Sequence, residues 1–231
     1  MTSIEEFKQK NSIVFTDDAL LEQAFIHRSF INESARTGLS HNERLEFLGD
    51  AVLELVVTEY LYATYPHHNE GDLTAYRSAL VNAVTLGEVA DQLGFNSMIR
   101  LSKGEAKDVS RARSSILADA YEAFIGALYL DQGYESTKIF ITRTVLIKTD
   151  EIIQKGLYKD AKSFVQEKAQ ELYGMTPSYK VLSEEGPDHD KRFEVGIYFG
   201  DEKVGSGVGK SKQEGETNAA RNALENKGWV G

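Results

Sequence analysis

Hydrophobic and polar residues follow two different periods along this chain. Up to about residue 155, apolar residues recur at intervals of three and four, which is the period of amphipathic helices. Successive helices are predicted in "DDALLEQAFIHRSF", "ERLEFLGDAVLELVVTEYLYATY", "LTAYRSALVNAVTLGEVADQLGF", "SSILADAYEAFIGALYLDQGY" and "STKIFITRTVLIKTDEIIQK". The third segment predicts one helix or two. The capping preferences of Ser and Thr predict helix starts at Thr16 and at Ser114 or Ser115, and Gly133 predicts a helix end.

After "KGLYKDA" the pattern changes. "KSFVQEKAQELYGM" predicts a short amphipathic helix, and "SYKVLSEE" and "RFEVGIYFG" alternate as half-buried strands do. A two-residue "DE" turn leads into a third strand, "KVGSGVGKS", and "KQEGETNAARNALENKGW" predicts a closing helix. The fold class is therefore an all-α domain at 1–155 and a linker at 156–160, followed by a small α+β (α-β-β-β-α) domain at 161–229.

Composition and charge restrict the partners of the protein. The 231 residues carry a formal net charge of −10, of which −8 falls before Tyr158, so a polyanionic partner needs local basic patches or recruited cations. The chain has no cysteine, which excludes disulfides and thiolate metal sites and fits a reducing cytoplasm. The polar start "TSIEEFKQKNS" does not resemble a signal peptide, and no apolar run approaches the ~20 residues of a membrane span. We expect a cytoplasmic protein with no membrane partner.

Two pairs of acids lie within otherwise apolar helical segments. Glu46 and Asp50 are one turn apart on one helix with Glu43 on the same stripe, and Asp119 and Glu122 are three residues apart on another. Both helices are apolar almost all round, so both are expected to be buried.

Buried, ionised carboxylates need a raised pKa, a cationic partner or a metal ion, because each unpaired charge costs several kcal/mol. Neither segment offers Lys or Arg one turn from Glu46 and Asp50 on their own face. Four acids from two helices suit Mg²⁺ or Mn²⁺, whereas the alternative interpretation is a solvated helix face. The small residues Gly49 and Ala118 beside the acids support the metal-site interpretation, because a glycine within a helix costs about 1 kcal/mol unless something must approach closely.

These residues carry a resemblance to a known family. "HNERLEFLGDAVLELVVTEYLY" is very similar to the defining motif of the bacterial ribonuclease III family, and the similarity continues through "EGDLTAYRSALVNAVTLGEVADQLG", "LSKGE" and "SILADAYEAFIGALYLD". The C-terminal module resembles the double-stranded-RNA-binding domain of that family. Val109 and Ser110 depart from the pattern, since they stand where relatives usually have a glycine pair.

The resemblance implies an endoribonuclease that hydrolyses double-stranded RNA with Mg²⁺ (Mn²⁺ as a substitute) and a metal-activated water. The products would carry 5′-phosphate and 3′-hydroxyl ends. By this likeness the catalytic and metal-binding residues are Glu46, Asp50, Asp119 and Glu122, with Glu43 and Glu70 as accessory acids. Cutting both strands needs two sites in fixed relation, so the resemblance also implies a homodimer. Processing of ribosomal and messenger RNA is expected at the level of the family.

The C-terminal module offers three candidate contacts to an RNA duplex, which is recognised through 2′-hydroxyls and phosphates. The first is a polar helix stripe of Ser163, Gln166, Glu167 and Gln170. The second is His189 in the loop "EGPDHDK", and the third is the helix start with Lys210 and Lys212. Gln213 and Gly215 stand where the family pattern leads us to expect Lys and Ala. They predict weaker, less salt-sensitive binding and a looser helix start.

Other functions remain open at this point. A non-cleaving regulator that binds double-stranded RNA would not need the acids, and a small-molecule phosphohydrolase would not need the C-terminal module. Metal-free RNA cleavage through a histidine pair would give a cyclic phosphate, but His27, His41, His67 and His68 read as structural or solvated. "VGSGVGKS" resembles a phosphate loop, but it has Val204 where that pattern needs Gly, so no nucleotide cofactor is expected.

Overall fold

The computed structural model describes residues 4–33, 38–107, 111–156, 158, 160–187 and 191–229. The chain divides into two compact units, Met1–Ile152 and Ile153–Gly231. The predicted residues Val109, Ser110 and His189 lie outside the described residues. None of the helices in the described ranges combines the length and apolarity needed to cross a bilayer.

The first unit is helical, as the sequence predicts. Its helices are α1 (Ile4–Lys10), α2 (Asp18–Ala24), α3 (Arg28–Glu33), α4 (Glu43–Thr64), α5 (Glu70–Leu80), α6 (Ala83–Gln92), α7 (Phe95–Met98) and α8 (Arg111–Thr144). The division between the two units falls within α9 (Thr149–Gln154). The segment predicted as one helix or two forms α5 and α6. Asn82 begins α6 because its side chain accepts hydrogen bonds from the N–H groups of Val84 and Thr85.

Two predicted helix starts are wrong. Asp17, not Thr16, caps α2, because the Asp17 carboxylate accepts hydrogen bonds from the N–H groups of Ala19 and Leu20. Helix α8 begins at Arg111 rather than at Ser114 or Ser115. The predicted break at Gly133 is present as a kink within α8, since Gly133 has φ 77° and interrupts the helical backbone.

A cluster of aromatic rings forms the core of the first unit. Phe7 of α1 and Phe25 at the end of α2 pack edge-on against Phe95 of α7, with ring centroids 5.5 and 4.9 Å apart, and Phe124 of α8 contacts Phe7 at 5.4 Å. All four rings are buried. Helix α8 crosses this core, so its residues are held in fixed positions relative to α4 and α6.

The second unit has the predicted helix–strand–strand–strand–helix order. It consists of α10 (Ala161–Tyr173), β1 (Ser178–Glu185), β2 (Arg192–Phe199), β3 (Glu202–Gly209) and α11 (Lys212–Asn226), and the antiparallel sheet has the order β1-β2-β3. Phe199 pairs with Glu202, so the β2–β3 turn is Gly200–Asp201 rather than the predicted "DE". Helices α10 and α11 pack with the apolar side of β2 and β3 to form the core of this unit.

Candidate metal centre and candidate RNA-binding surface

Helices α4 and α8 approach each other at a pair of glycines. An ideal Cβ on Gly49 would lie 1.7 Å from the carbonyl oxygen of Glu122, and one on Gly126 would lie 2.2 Å from the carbonyl oxygen of Leu45. No side chain fits in either place, because both distances are far shorter than van der Waals contact. The glycine pair therefore fixes the distance between the two helices that carry the acids.

Three carboxylates meet beside this contact. One ligand oxygen from each of Glu46, Asp119 and Glu122 lies within 4.8 Å of the other two, and all three residues are half-buried. Asp50 is exposed and does not belong to this group, although its charge acts on both Glu46 and Glu122. The structure thus brings together three of the four acids that the sequence singles out.

The two accessory acids are outside the three-carboxylate group. Glu43 is in ion pairs with Arg28 at 3.3 Å and with His41 at 3.6 Å. Glu70 is exposed at the start of α5, where it lines a separate hollow together with His68 and other residues of α4 and α5.

Burial and mutual repulsion raise the pKa values of the carboxyl groups in this cluster. Burial first, and then the charges of Asp119, Glu43 and Asp50, raise the pKa of Glu46 to about 7. Burial and the neighbouring acids raise the pKa of Glu122 to about 8, and burial raises the pKa of Asp119. At neutral pH such a cluster retains a proton that a bound cation would displace.

Hard oxygen donors without a cationic partner are the donor set that Mg²⁺ and Mn²⁺ prefer. Among the described residues, no Lys or Arg is in an ion pair with Glu46 or Glu122, and the charges that act on both carboxyl groups are those of other acids. The residues present therefore fit a divalent metal ion.

Helix α4 is not buried all round, contrary to the sequence prediction. The side chains of Phe47, Leu55 and Tyr62 are 83%, 57% and 76% exposed. They lie within about 80° of one another around the helix, so they form one apolar stripe beside the acids. The prediction was wrong because an apolar helix face can form an interface with another molecule instead of packing in the core of its own chain.

The C-terminal unit exposes most of the polar residues predicted to contact RNA. Ser163, Gln166, Glu167 and Gln170 are all exposed on α10. Lys210 and Lys212 are exposed at the start of α11, where Ser211 accepts a hydrogen bond from the Glu214 N–H and the Glu214 carboxylate accepts one from the Lys210 N–H.

Comparison with known proteins decides the family. A model described as Ribonuclease-III-like matches residues 17–149, and a model of the double-stranded RNA binding motif matches residues 161–227. The protein called Ribonuclease 3 of Latilactobacillus sakei is 43% identical over 225 residues, which cover 96% of each chain. The chain belongs to the ribonuclease III family. A Geobacillus Ribonuclease 3 is 44% identical over 230 residues, covering 98% of this chain and 92% of its own.

A solved structure gives the same result for the first unit of this ribonuclease III family member. The nuclease domain of ribonuclease III from Campylobacter jejuni is 40% identical, covers 64% of this chain and 97% of its own, and superposes with a TM-score of 0.57.

Two features of this ribonuclease III chain were missed by the sequence analysis. The histidine His27 does not lie on a helix but between α2 and α3, and its charge acts on Asp119. The strand predicted in "KVGSGVGKS" is present as β3, but the packing that its glycines permit was not predicted: Gly207 and Gly209 let α11 pack within van der Waals contact of the strand backbone. An ideal Cβ on Gly209 would lie 2.4 Å from the Gly215 nitrogen.

Gly215, which the sequence analysis expects to loosen the start of α11, also has a packing role that was not predicted. It is buried, and an ideal Cβ there would lie 2.7 Å from Cγ2 of Val195 on β2. Its small size therefore permits close packing of the helix start against the sheet.

Proposed function

We propose that this chain is a divalent-cation-dependent endoribonuclease that acts on double-stranded RNA as a homodimer. Its metal would be Mg²⁺, with Mn²⁺ as a substitute, and its products would carry 5′-phosphate and 3′-hydroxyl ends. The observation that carries the proposal is the convergence of the carboxylates of Glu46, Asp119 and Glu122, which form no ion pair with any Lys or Arg in the part of the chain that the structure describes. Membership of the family and the matched double-stranded RNA binding motif support the choice of substrate.

The acidic residues would hold the metal and set its position. Glu46, Asp119 and Glu122 are the proposed ligands, and Asp50 is the proposed fourth acid at the exposed edge of the cluster. A bound divalent cation would supply Lewis-acid charge to the scissile phosphate and to the attacking water. The carboxylates alone repel a phosphate backbone, so phosphate approaches the cluster only when its charge is compensated.

The C-terminal unit would hold the duplex. The exposed polar stripe on α10 suits 2′-hydroxyls in a minor groove, and Lys210 and Lys212 suit phosphates, because an RNA duplex hides its base edges in a deep major groove. Recognition by shape and backbone fits substrates such as precursors of ribosomal RNA and structured messenger RNA.

The apolar stripe on α4 supports a homodimer. Phe47, Leu55 and Tyr62 expose large apolar surfaces that a second copy of α4 would cover, and the acids flank this stripe on the same helix. A second solved structure of the Campylobacter jejuni nuclease domain, also 40% identical, is described as flexible in a region involved in dimer formation. Light scattering after gel filtration should give twice the chain mass, and Phe47→Asp should give the monomer mass.

Cleavage of a long RNA duplex tests the proposed chemistry. We expect cleavage in Mg²⁺ and none with a chelator. The products should accept a 5′ label from polynucleotide kinase only after dephosphorylation, and poly(A) polymerase should extend their 3′ ends directly. A cyclic phosphate, which blocks this extension, would instead indicate metal-free chemistry.

Substitution of Glu122 separates cleavage from binding. Glu122→Ala should abolish cleavage and leave duplex binding nearly unchanged, whereas Asp91→Asn, which alters an exposed acid on α6, should leave both unchanged. If Glu122→Ala cuts at the rate of the unsubstituted protein, its assignment as a metal ligand is wrong. If the unsubstituted protein binds duplex and never cuts it, the chain is a non-cleaving regulator.

A further inference from the structure

An ion pair joins the starts of the two helices of the C-terminal unit. Nζ of Lys162, in the first turn of α10, lies 2.6 Å from Oε2 of Glu216, in the second turn of α11. The two side chains are 35% and 31% exposed, so the surrounding protein shields this pair from water more than it would shield a pair on an open surface. The pair links two elements whose residues are 54 positions apart in the chain.

A tyrosine of the sheet contacts the same ammonium group. Nζ of Lys162 lies 5.1 Å from the ring centroid of Tyr179 on β1, which is within the range of a cation–π interaction. The Tyr179 ring is partly buried and packs against the core of the unit, so packing fixes its position. Contacts with both α11 and β1 therefore hold the Lys162 side chain in place.

The ion pair lies beside the proposed RNA contacts rather than among them. At about 100° per residue, Lys162 is about 90° around α10 from the middle of the polar stripe. Glu216 is one turn beyond Lys212 on the same side of α11. Lys162 is thus next to one proposed contact region and Glu216 is next to the other.

The two helix starts are fixed locally by caps. The Asp160 carboxylate accepts a hydrogen bond from the Ser163 N–H at 3.0 Å, and the Ser211 hydroxyl accepts one from the Glu214 N–H at 3.2 Å. Such caps order each start but do not set the distance between the two.

The core contact between these helices consists largely of small side chains. Helix α11 contributes Ala219, Ala220, Ala223 and Leu224 to the core. Because methyl groups form lower ridges than larger side chains, they interlock less with a neighbouring helix. The ion pair therefore adds a constraint on the relative position of the helices at the end where the proposed RNA contacts lie.

We propose that Lys162 and Glu216 are positioning residues, whose ion pair sets the separation between the polar stripe of α10 and the start of α11. This inference rests on the proposed function, because it takes both regions as contacts to double-stranded RNA. An RNA duplex presents its minor groove and its phosphates in a fixed shape. Contact regions that are held at the matching distance before the RNA arrives cost less to order on binding.

Removal of either charge should weaken duplex binding. Lys162→Met keeps the apolar stem of the side chain, and Glu216→Gln keeps its shape. We expect each variant to bind a duplex of about 16 bp about 5- to 30-fold more weakly, as for the loss of one or two hydrogen bonds. The double variant should bind no more weakly than either single variant, because all three lack the same pair. Fluorescence anisotropy with the full chain and a chelator, which prevents cleavage, measures these affinities.

Exchange of the two charges should restore the pair. A protein with Lys162→Glu and Glu216→Lys should bind the duplex within a few-fold of the unsubstituted protein. Lys168→Met is the matched control, because Lys168 is paired at 2.7 Å with Glu171 of its own helix and lies about 150° from the middle of the polar stripe. This control should leave duplex affinity unchanged.

A positioning role requires two regions to align. In a protein that also carries Lys210→Ala and Lys212→Ala, Lys162→Met should cost less than about twofold in affinity, because the start of α11 no longer contributes. A role in stability alone would keep its full cost in this background. In thermal melts the Tm of the C-terminal unit should stay within a few degrees, and the loss of affinity should persist well below that Tm.

The outcomes separate this inference from the alternatives. If Lys162→Met binds weakly but Glu216→Gln binds as tightly as the unsubstituted protein or more tightly, Lys162 contacts the RNA directly and the positioning role is overturned. Full affinity in both single variants, additive losses in the double variant or no recovery on charge exchange would also overturn it. So would an equal cost of Lys162→Met in both backgrounds, or a loss of affinity that disappears well below the Tm. If Lys210→Ala and Lys212→Ala leave duplex binding unchanged, the proposed RNA contact at α11 fails first.

Discussion

Replacement of Gly126 by alanine should separate the two helices that carry the acids. The new Cβ would lie 2.2 Å from the Leu45 carbonyl oxygen and 3.1 Å from the Gly49 nitrogen. Ordinary contact begins near 3.4 Å, so the closest approach is too short by about 1.2 Å. Both atoms belong to the backbone of a 22-residue helix and cannot rotate away, so α4 has to move by about 1 Å.

The displacement should cost stability and metal affinity together. Overpacking of this size costs about 1–3 kcal/mol, of which the better helix propensity of alanine recovers up to about 1 kcal/mol. In a unit of this size the net loss corresponds to a fall in Tm of roughly 2–8 °C. Because Glu46 follows Leu45 on the displaced helix, its carboxylate moves away from those of Asp119 and Glu122, and the metal should bind more weakly. A misplacement of 1 Å can also cost about 100-fold in the rate of RNA cleavage.

Calorimetry of unfolding and Mn²⁺ titration measure the two effects. Gly87→Ala is the matched control, since its Cβ would lie 2.4 Å from Oγ and 2.7 Å from the carbonyl oxygen of Ser114 at another contact of α8. It should lower Tm and leave Mn²⁺ affinity within a few-fold of that of the unsubstituted protein. A Gly126→Ala protein with unchanged Tm and unchanged Mn²⁺ affinity would refute the role given to the glycine pair.

Three further predictions concern the acids and the C-terminal unit. The pKa of Glu122 is raised from 4.5 to about 8, so the metal-free protein should lose stability as the pH rises from about 5 through 8. In thermal melts Glu122→Gln should show a smaller fall in Tm over this range. A Tm that is independent of pH in both proteins would contradict the prediction. Lys210→Ala and Lys212→Ala should each weaken duplex binding and reduce its salt dependence, measured by fluorescence anisotropy at several salt concentrations, whereas the control Lys203→Ala should leave the salt slope as it is. Gly215→Ala should lower the Tm of the C-terminal unit by a few degrees, and a rise in Tm would show that the helix start is loose.

The hydrophobic period predicts most of the helices and strands, because burial of one face has a local signature in the sequence. It fails at helix ends, where several neighbouring residues are each able to cap the helix. Ser114 is a good cap by type, but Arg111 begins α8, and Ser114 instead packs against Gly87. Thr16 loses its predicted role because the neighbouring Asp17 side chain reaches the free N–H groups of α2.

The sequence predicts which acids share one face of a single helix, but not which helices pack together to form the candidate site. Spacing places Glu46 on one helix stripe, and Asp119 and Glu122 on another. Only the tertiary contact at Gly49 and Gly126 brings the two stripes within reach of each other, and the same contact leaves Asp50 exposed.

Anomalous diffraction from crystals grown with Mn²⁺ would locate the metal ion itself. We expect a manganese peak about 2.0–2.3 Å from carboxylate oxygens of Glu46, Asp119 and Glu122. Density in which these side chains turn away from one another, with manganese bound elsewhere, would contradict it.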